Sequence, residues 1–393
     1  MIRVLIADDS AFMRKVLSDL FNGQSDFQVA GTAVNGVDTI EKVKKLKPDL
    51  LTLDVQMPVM DGLEALAVIM EDCPLPVVMV SSMTQAGTDA TIRALALGAV
   101  DFVSKAGGPI SKIDTIANEI LEKCREAAQA HASKIRISPA DSKPLIFTPK
   151  KEPDPPATRR IEFKRRNTGF VPGQKPAITK IPTATTPVTP VKPTPNLTSN
   201  SLSNKKLVAI GTSTGGPQAL QTVITRLPGN LPCGVVVVQH MPAGFTKSLA
   251  DRLNSISEIG VKEAENDEVI KAGQVYIAPG NFHMRVAPAA GGARKIVLSQ
   301  EPPVGNHRPA VNVMFDSVAN IGKDLVSVIM TGMGCDGCEG MKKIKANGGY
   351  SIAQDESSCV VYGMPKAVVD AGLADEIKPL TKIAEAIVEA VRR

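Results

Sequence analysis

The chain has 393 residues, of which 43% are hydrophobic and 3% aromatic, and it carries a formal net charge of +5. That length exceeds one ordinary core, so two domains are expected. The modest charge, the few aromatics and the lack of a nucleic-acid-binding motif argue against a DNA or RNA partner. Charges or glycines interrupt every apolar run and no signal peptide is expected, so the chain reads as cytoplasmic without membrane insertion, with its six cysteines reduced.

In chain order, short apolar runs at Val4–Ala7, Leu50–Asp54, Val77–Val80 and Asp101–Val103 read as strands. Helical spacing links Met13, Val16, Leu17, Leu20 and Phe21, then Val37, Ile40, Val43 and Leu46, then Leu63, Leu66, Ile69 and Met70. Such alternation predicts a doubly wound parallel sheet over residues 1–130, with its site beyond the carboxyl ends of the strands. Asp8 and Asp9 end the first run, Asp54 ends the next, Ser81 follows the third and Lys105 the fourth. Any one of these has a plain explanation, such as Asp8 or Asp9 capping the helix near Ser10. Together they do not. Carboxylates gathered at one sheet edge repel unless a cation sits among them, and an all-oxygen set suits magnesium. Lys105 adds fixed positive charge, and Ser81 a hydroxyl able to bond a phosphoryl oxygen.

The runs Ile6-Ala7-Asp8-Asp9-Ser10, Leu53-Asp54 through Met57-Pro58 to Asp61-Gly62, and Phe102-Val103-Ser104-Lys105 resemble the motifs of response-regulator receiver domains. The resemblance implies that Asp54 accepts a phosphoryl group from a chemotaxis histidine kinase. It further implies that Asp8 and Asp9 help Asp54 hold magnesium, and that Ser81 and Lys105 are the switch residues. Receivers often have proline after that lysine, whereas Ala106-Gly107-Gly108 follows here.

Residues 131–204 lack hydrophobic periodicity and are rich in proline, threonine and basic residues, which predicts a disordered tether. Within it, Ile161 to Arg166 joins apolar residues to a basic cluster, read as a solvated charge run rather than a docking segment.

Residues 205–393 again predict a parallel α/β sheet. Leu207–Ile210 is a strand pattern, and Ala219, Leu220, Val223, Ile224 and Leu227 follow at helical spacing behind Pro217. The turn Gly211-Thr212-Ser213-Thr214-Gly215-Gly216 between them fits either a nucleophile elbow or an anion-binding turn. Val235–Val238 precedes His240, and Leu325–Met330 precedes the loop with Asp336. Ser213, a histidine and Asp336 would supply nucleophile, base and orienting acid. His240 follows a strand, but His283 and His307 stay open as the base on this reading. Cys335 and Cys338 form a CxxC spacing without a second ligand pair, so a structural or incidental role is expected.

Gly211 to Gly216, Gln239-His240-Met241-Pro242, His307-Arg308-Pro309 and Gly332-Met333-Gly334-Cys335-Asp336-Gly337 resemble the signatures of the chemotaxis protein-glutamate methylesterases, a family that orders receiver, tether and catalytic domain in this way. The resemblance implies Ser213 as nucleophile, His240 as base, Asp336 as its orienting acid, and the backbone amides of Thr214 and Met333 as oxyanion donors. It implies hydrolysis of glutamyl methyl esters on methyl-accepting chemoreceptors in adaptation, with glutamine deamidation, no cofactor for hydrolysis, and a receiver that inhibits until phosphorylated. The alternative is a non-enzymatic output module whose Ser213 turn binds an anion.

Overall fold

The computed structural model describes residues 1–82, 84–105, 113–129 and 205–393, apart from the side chains of Ser81, Ser82, Gln85 and residues 113–116. The proline-rich stretch 131–204, the Ala106-Gly107-Gly108 loop and the Ser81 hydroxyl therefore lie outside the described residues.

The first half alternates β1 (Ile2–Ala7), α1 (Ala11–Asn22), β2 (Phe27–Ala33), α2 (Gly36–Leu46), β3 (Leu50–Asp54), α3 (Gly62–Asp72), β4 (Val77–Ser82), α4 (Gln85–Leu97), β5 (Asp101–Lys105) and α5 (Ile113–Gln129). Its five strands are parallel in the order β2-β1-β3-β4-β5. Helices cover both faces, so β3 is buried at every residue and reads as a continuous apolar run rather than an alternating one. The edge strand β2 is largely half-buried and has no such run, which is why hydrophobicity alone does not mark it. Helix α3 starts in a capping box, with Asp61 accepting from the Glu64 amide and Glu64 accepting from the Asp61 amide.

The second half contains β6 (Leu207–Thr212), α6 (Gly216–Ile224), β7 (Gly234–Gln239), α7 (Phe245–Ile256), β8 (Gly260–Glu263), β9 (Gln274–Ile277), β10 (His283–Pro288) and β11 (Arg294–Ser299). It continues through α8 (Val311–Val318), β12 (Leu325–Ile329), α9 (Cys338–Ala346), β13 (Tyr350–Gln354), α10 (Met364–Asp370), β14 (Glu376–Lys378) and α11 (Leu380–Arg392). Seven parallel strands run in the order β14-β13-β12-β6-β7-β9-β8. The chain moves outward from β6 through β7, then returns to its other side at β12, so the carboxyl ends of β6, β7 and β12 border the topological switch point. The strands β10 and β11 form an antiparallel ribbon outside this sheet, an addition to the expected parallel architecture.

The two halves share apolar packing. Phe102 of β5 stacks on Phe245 of α7 with ring centroids 4.3 Å apart. Beside it, the Gln218 amide at the start of α6 donates to the Leu95 and Ala99 carbonyls at 2.7 and 2.8 Å, using acceptors left over at the end of α4.

Candidate functional site

The Ser213 turn departs from the expected elbow in one respect. Gly211 lies within β6, where a Cβ would stand 2.4 Å from the Val311 side chain, so close packing rather than turn geometry demands glycine. The left-handed residue is Gly215, with φ of 75°, and it leads directly into α6. The Ser213 carbonyl accepts from the Gly216 amide at 2.7 Å, which closes the turn. Gln239 at the end of β7 braces it, donating to the Ser213 carbonyl at 3.0 Å and accepting from the Thr212 hydroxyl at 2.6 Å. A Cβ at Gly216 would lie 1.9 Å from the Gln239 side-chain oxygen. Thr331, after β12, donates its hydroxyl to the Thr214 carbonyl at 2.9 Å.

Ser213, His240 and Asp336 meet at this edge. Ser213 Oγ stands 3.2 Å from His240 Nδ1, and His240 Nε2 stands 2.8 Å from Asp336 Oδ2. The same Asp336 oxygen accepts from the Val311 amide at 2.7 Å, and its other oxygen accepts from the Asn312 amide at 2.8 Å. Burial alone would raise this carboxyl. His240 and the two amides outweigh it and hold Asp336 below the ordinary aspartate range. An ionised Asp336 keeps the proton on Nε2, which leaves Nδ1 bare to accept from the serine hydroxyl.

The other histidines have different surroundings. His283 is fully buried, with Nε2 at 3.1 Å from the Pro302 carbonyl and Nδ1 accepting from the Ala310 amide at 3.3 Å. Both ring nitrogens are thus spent on backbone. His307 stacks on His240 with centroids 3.8 Å apart and planes 11° from parallel. Burial and the neighbouring His240 push its pKa down to about 4, so it is neutral near pH 7. The backbone amides of Thr214 and Met333 have no hydrogen-bond partner among the described residues.

The receiver-like site is equally compact. Asp8 and Asp54 are buried and Asp9 is exposed, and one oxygen from each falls within 4.8 Å of the others. Lys105 Nζ lies 2.6 Å from Asp54 and 3.0 Å from Asp8. Burial raises the Asp54 pKa despite that lysine. An oxygen-only donor set of this size fits a hard divalent cation. A Cβ at Gly62 would lie 2.0 Å from the Asp54 carbonyl oxygen, so glycine is needed for the loop to fold back over the aspartate.

A third cluster was not marked by the motifs. The Thr214 hydroxyl lies 2.8 Å from Asp101 Oδ2 and 2.8 Å from Glu126 Oε2, both in the first half. Lys123, one turn earlier on α5, pairs with Asp101 at 3.2 Å and donates to the Phe102 carbonyl at 2.6 Å. The available signal was a glutamate lying between buried Cys124 and Ala127 on the apolar face of α5.

Comparison with known proteins matches residues 208–387 to the CheB methylesterase family model and residues 4–117 to the response regulator receiver domain model. A protein-glutamate methylesterase/protein-glutamine glutaminase of Symbiobacterium thermophilum is 46% identical over 391 residues, covering 99% of this chain and 97% of that protein. A protein of the same name from Thermotoga maritima is 43% identical over 392 residues, covering 99% and 98%. The crystal structure of the Thermotoga maritima CheB methylesterase catalytic domain is 49% identical, covers 47% of this chain and 97% of its own, and has a TM-score of 0.46.

Proposed function

The chain belongs to the CheB methylesterase family, as a protein-glutamate methylesterase joined to a response-regulator receiver, and on that premise we propose how it works. Ser213 Oγ attacks the carbonyl carbon of a glutamyl methyl ester on the cytoplasmic helices of a chemoreceptor while His240 Nδ1 takes its proton. The negative oxygen of the tetrahedral intermediate is met by the backbone amides of Thr214 and Met333. Methanol leaves with the proton from His240, and water, activated by the same nitrogen, releases glutamate and free serine. Asp336 orients the ring and stabilises the imidazolium. Glutamine side chains follow the same path with ammonia as the leaving group. The observation that carries this reading is the continuous line from Ser213 Oγ through both His240 nitrogens to an ionised Asp336. Hydrolysis by these groups calls for no cofactor.

Regulation belongs to the first half. Asp54 would accept a phosphoryl group from a histidine kinase, with Asp8, Asp9 and Asp54 holding magnesium, which when bound neutralises charge on the transferred group. Lys105 would pair with the phosphoryl oxygens and Ser81 would serve as the switch hydroxyl. Thr214, next to the proposed nucleophile, is engaged by Asp101 and Glu126, so the receiver occupies ground a receptor helix must reach. Phosphorylation would favour an arrangement with that ground exposed.

The test is methanol release from a purified methylated receptor fragment, before and after a small-molecule phosphodonor is added. Release that depends on Ser213 and rises with the phosphodonor in the parent but not in Asp54→Asn supports both parts. Undiminished release from Ser213→Ala rejects the chemistry, and a phosphodonor response retained by Asp54→Asn rejects the regulatory assignment.

A further inference from the structure

The pair Cys335 and Cys338 brackets the aspartate that orients His240. Residues 335–338 form a closed four-residue turn in which the Cys338 amide donates to the Cys335 carbonyl at 3.0 Å, with Gly337 at φ of 97° in its third position. Such a turn brings its end Cα atoms within about 7 Å. A disulfide spans Cα atoms roughly 4.4–6.8 Å apart. The two thiols are unequal. Cys335 is exposed, whereas Cys338 opens α9, is buried, and directs its sulfur toward the Ala367 carbonyl at 3.5 Å. Burial raises the Cys338 thiol above its ordinary range. Of the remaining cysteines, Cys73 is half-buried and Cys124, Cys233 and Cys359 are buried, so Cys335 is the most accessible thiol in the described residues.

We infer that Cys335 and Cys338 are a reversible thiol–disulfide site, oxidised by small disulfides, whose closure switches the hydrolase off through Asp336. The Cys335 thiolate attacks one sulfur of the small disulfide, whose S–S bond breaks and releases one thiolate. Cys338 then loses its proton to solvent and attacks the Cys335 sulfur, expelling the second thiolate. Two protein thiols are oxidised and one small disulfide is reduced to two thiols.

Closure disturbs Asp336 for a steric reason. Cys338 must leave its pocket near Ala367, and the turn has little room to follow. A Cβ at Gly337 would lie 2.9 Å from both Val311 and Ile329, so the turn is pressed against the residue whose amide binds Asp336. Shifting it moves the carboxylate relative to His240. A displacement of about 1 Å in a catalytic group costs on the order of a hundredfold in rate.

The experiment incubates the full-length protein with oxidised glutathione, then reads intact mass, the alkylation state of each cysteine and methanol release. The activity arm rests on the esterase reading, whereas the mass and alkylation arms do not, so the two fail separately. The expected result is loss of two hydrogens, protection of Cys335 and Cys338 from alkylation, and a kcat about ten- to a hundredfold lower with KM little changed. Dithiothreitol should restore it. Cys335→Ser should keep its activity through the treatment, and Cys338→Ser should stop at a glutathionyl adduct on Cys335. Two freely alkylated thiols after treatment, an unresolved adduct on the parent protein, or a disulfide form with undiminished kcat would each overturn the inference.

Discussion

The Thr214 hydroxyl stands 2.8 Å from the Glu126 carboxyl oxygen, joining the residue after the proposed nucleophile to the last helix of the receiver. Asp101 lies equally close to the same hydroxyl, which has one proton to give. That proton can serve only one of the two carboxyls at a time, and Glu126 is the one whose protonation its surroundings favour. Burial drives this, raising Glu126 to about 7 against the opposing bond from Thr214. Asp101 and Glu122 add to the rise and Lys123 opposes it.

The pH dependence follows with a definite sign. Glu126 has a pKa of about 7 when docked, against an ordinary 4.5. The docked state therefore binds the extra proton, and its advantage is complete below the ordinary value and lost as pH rises through about 7. Between those values docking should weaken by up to about tenfold per pH unit. Basal methanol release by the unphosphorylated protein, divided by that of Glu126→Gln, should climb over this window and level off above it. The amide carries no titrating proton, so docking of the variant does not follow this window, and pH effects common to both proteins cancel in the ratio. A flat or falling ratio would count against proton-linked docking.

Removing Ser213 as alanine should cut methanol release by at least about a thousandfold, because no other group supplies the attacking oxygen. Asp336→Asn should cost about as much while leaving the serine present, since an amide cannot stabilise the imidazolium. Both variants should fold and accept phosphate at Asp54. Initial rates together with phosphorylation of the same samples separate loss of chemistry from loss of structure.

His307 links the site to acid stability. Its pKa of about 4 in the folded protein lies below the ordinary 6.5, so the unfolded chain binds a proton that the folded one refuses. Stability should therefore rise with pH between those two values and gain nothing more from this group above them. In thermal melts, His307→Phe, which keeps a ring against His240, should show a smaller drop in Tm on acidification than the parent. An equal drop in both proteins would remove His307 from the account.

Asp9→Asn should weaken magnesium binding by at least about tenfold, because a neutral amide gives up charge that a hard divalent ion requires. A metal titration followed by spectroscopy of the receiver checks this. Basal hydrolysis should be unchanged, since Asp9 is an exposed residue of the other site. Unaltered affinity would place the ion elsewhere.

Much of this architecture is local in origin and so visible in the sequence. Leu50–Asp54 and Val235–Val238 announce buried strands because a parallel sheet covered on both faces needs unbroken apolar runs. Residues at the ends of such runs fall at the carboxyl edge of their own sheet, Asp8 and Lys105 in the first and Ser213 and His240 in the second. Where two faces are not both buried, as in β2 and the ribbon of β10 and β11, that signal fades. Only tertiary structure tells the three histidines apart: His283 spends both nitrogens on backbone, His307 lies flat on its neighbour, and His240 is the one of the three that stands between Ser213 and Asp336. The same holds for the ring nitrogen presented to Ser213 and for the contact between Thr214 and Glu126. Those relationships join residues 27, 96 and 88 positions apart, and no pattern within a strand or helix can encode a distance between groups that only folding brings together.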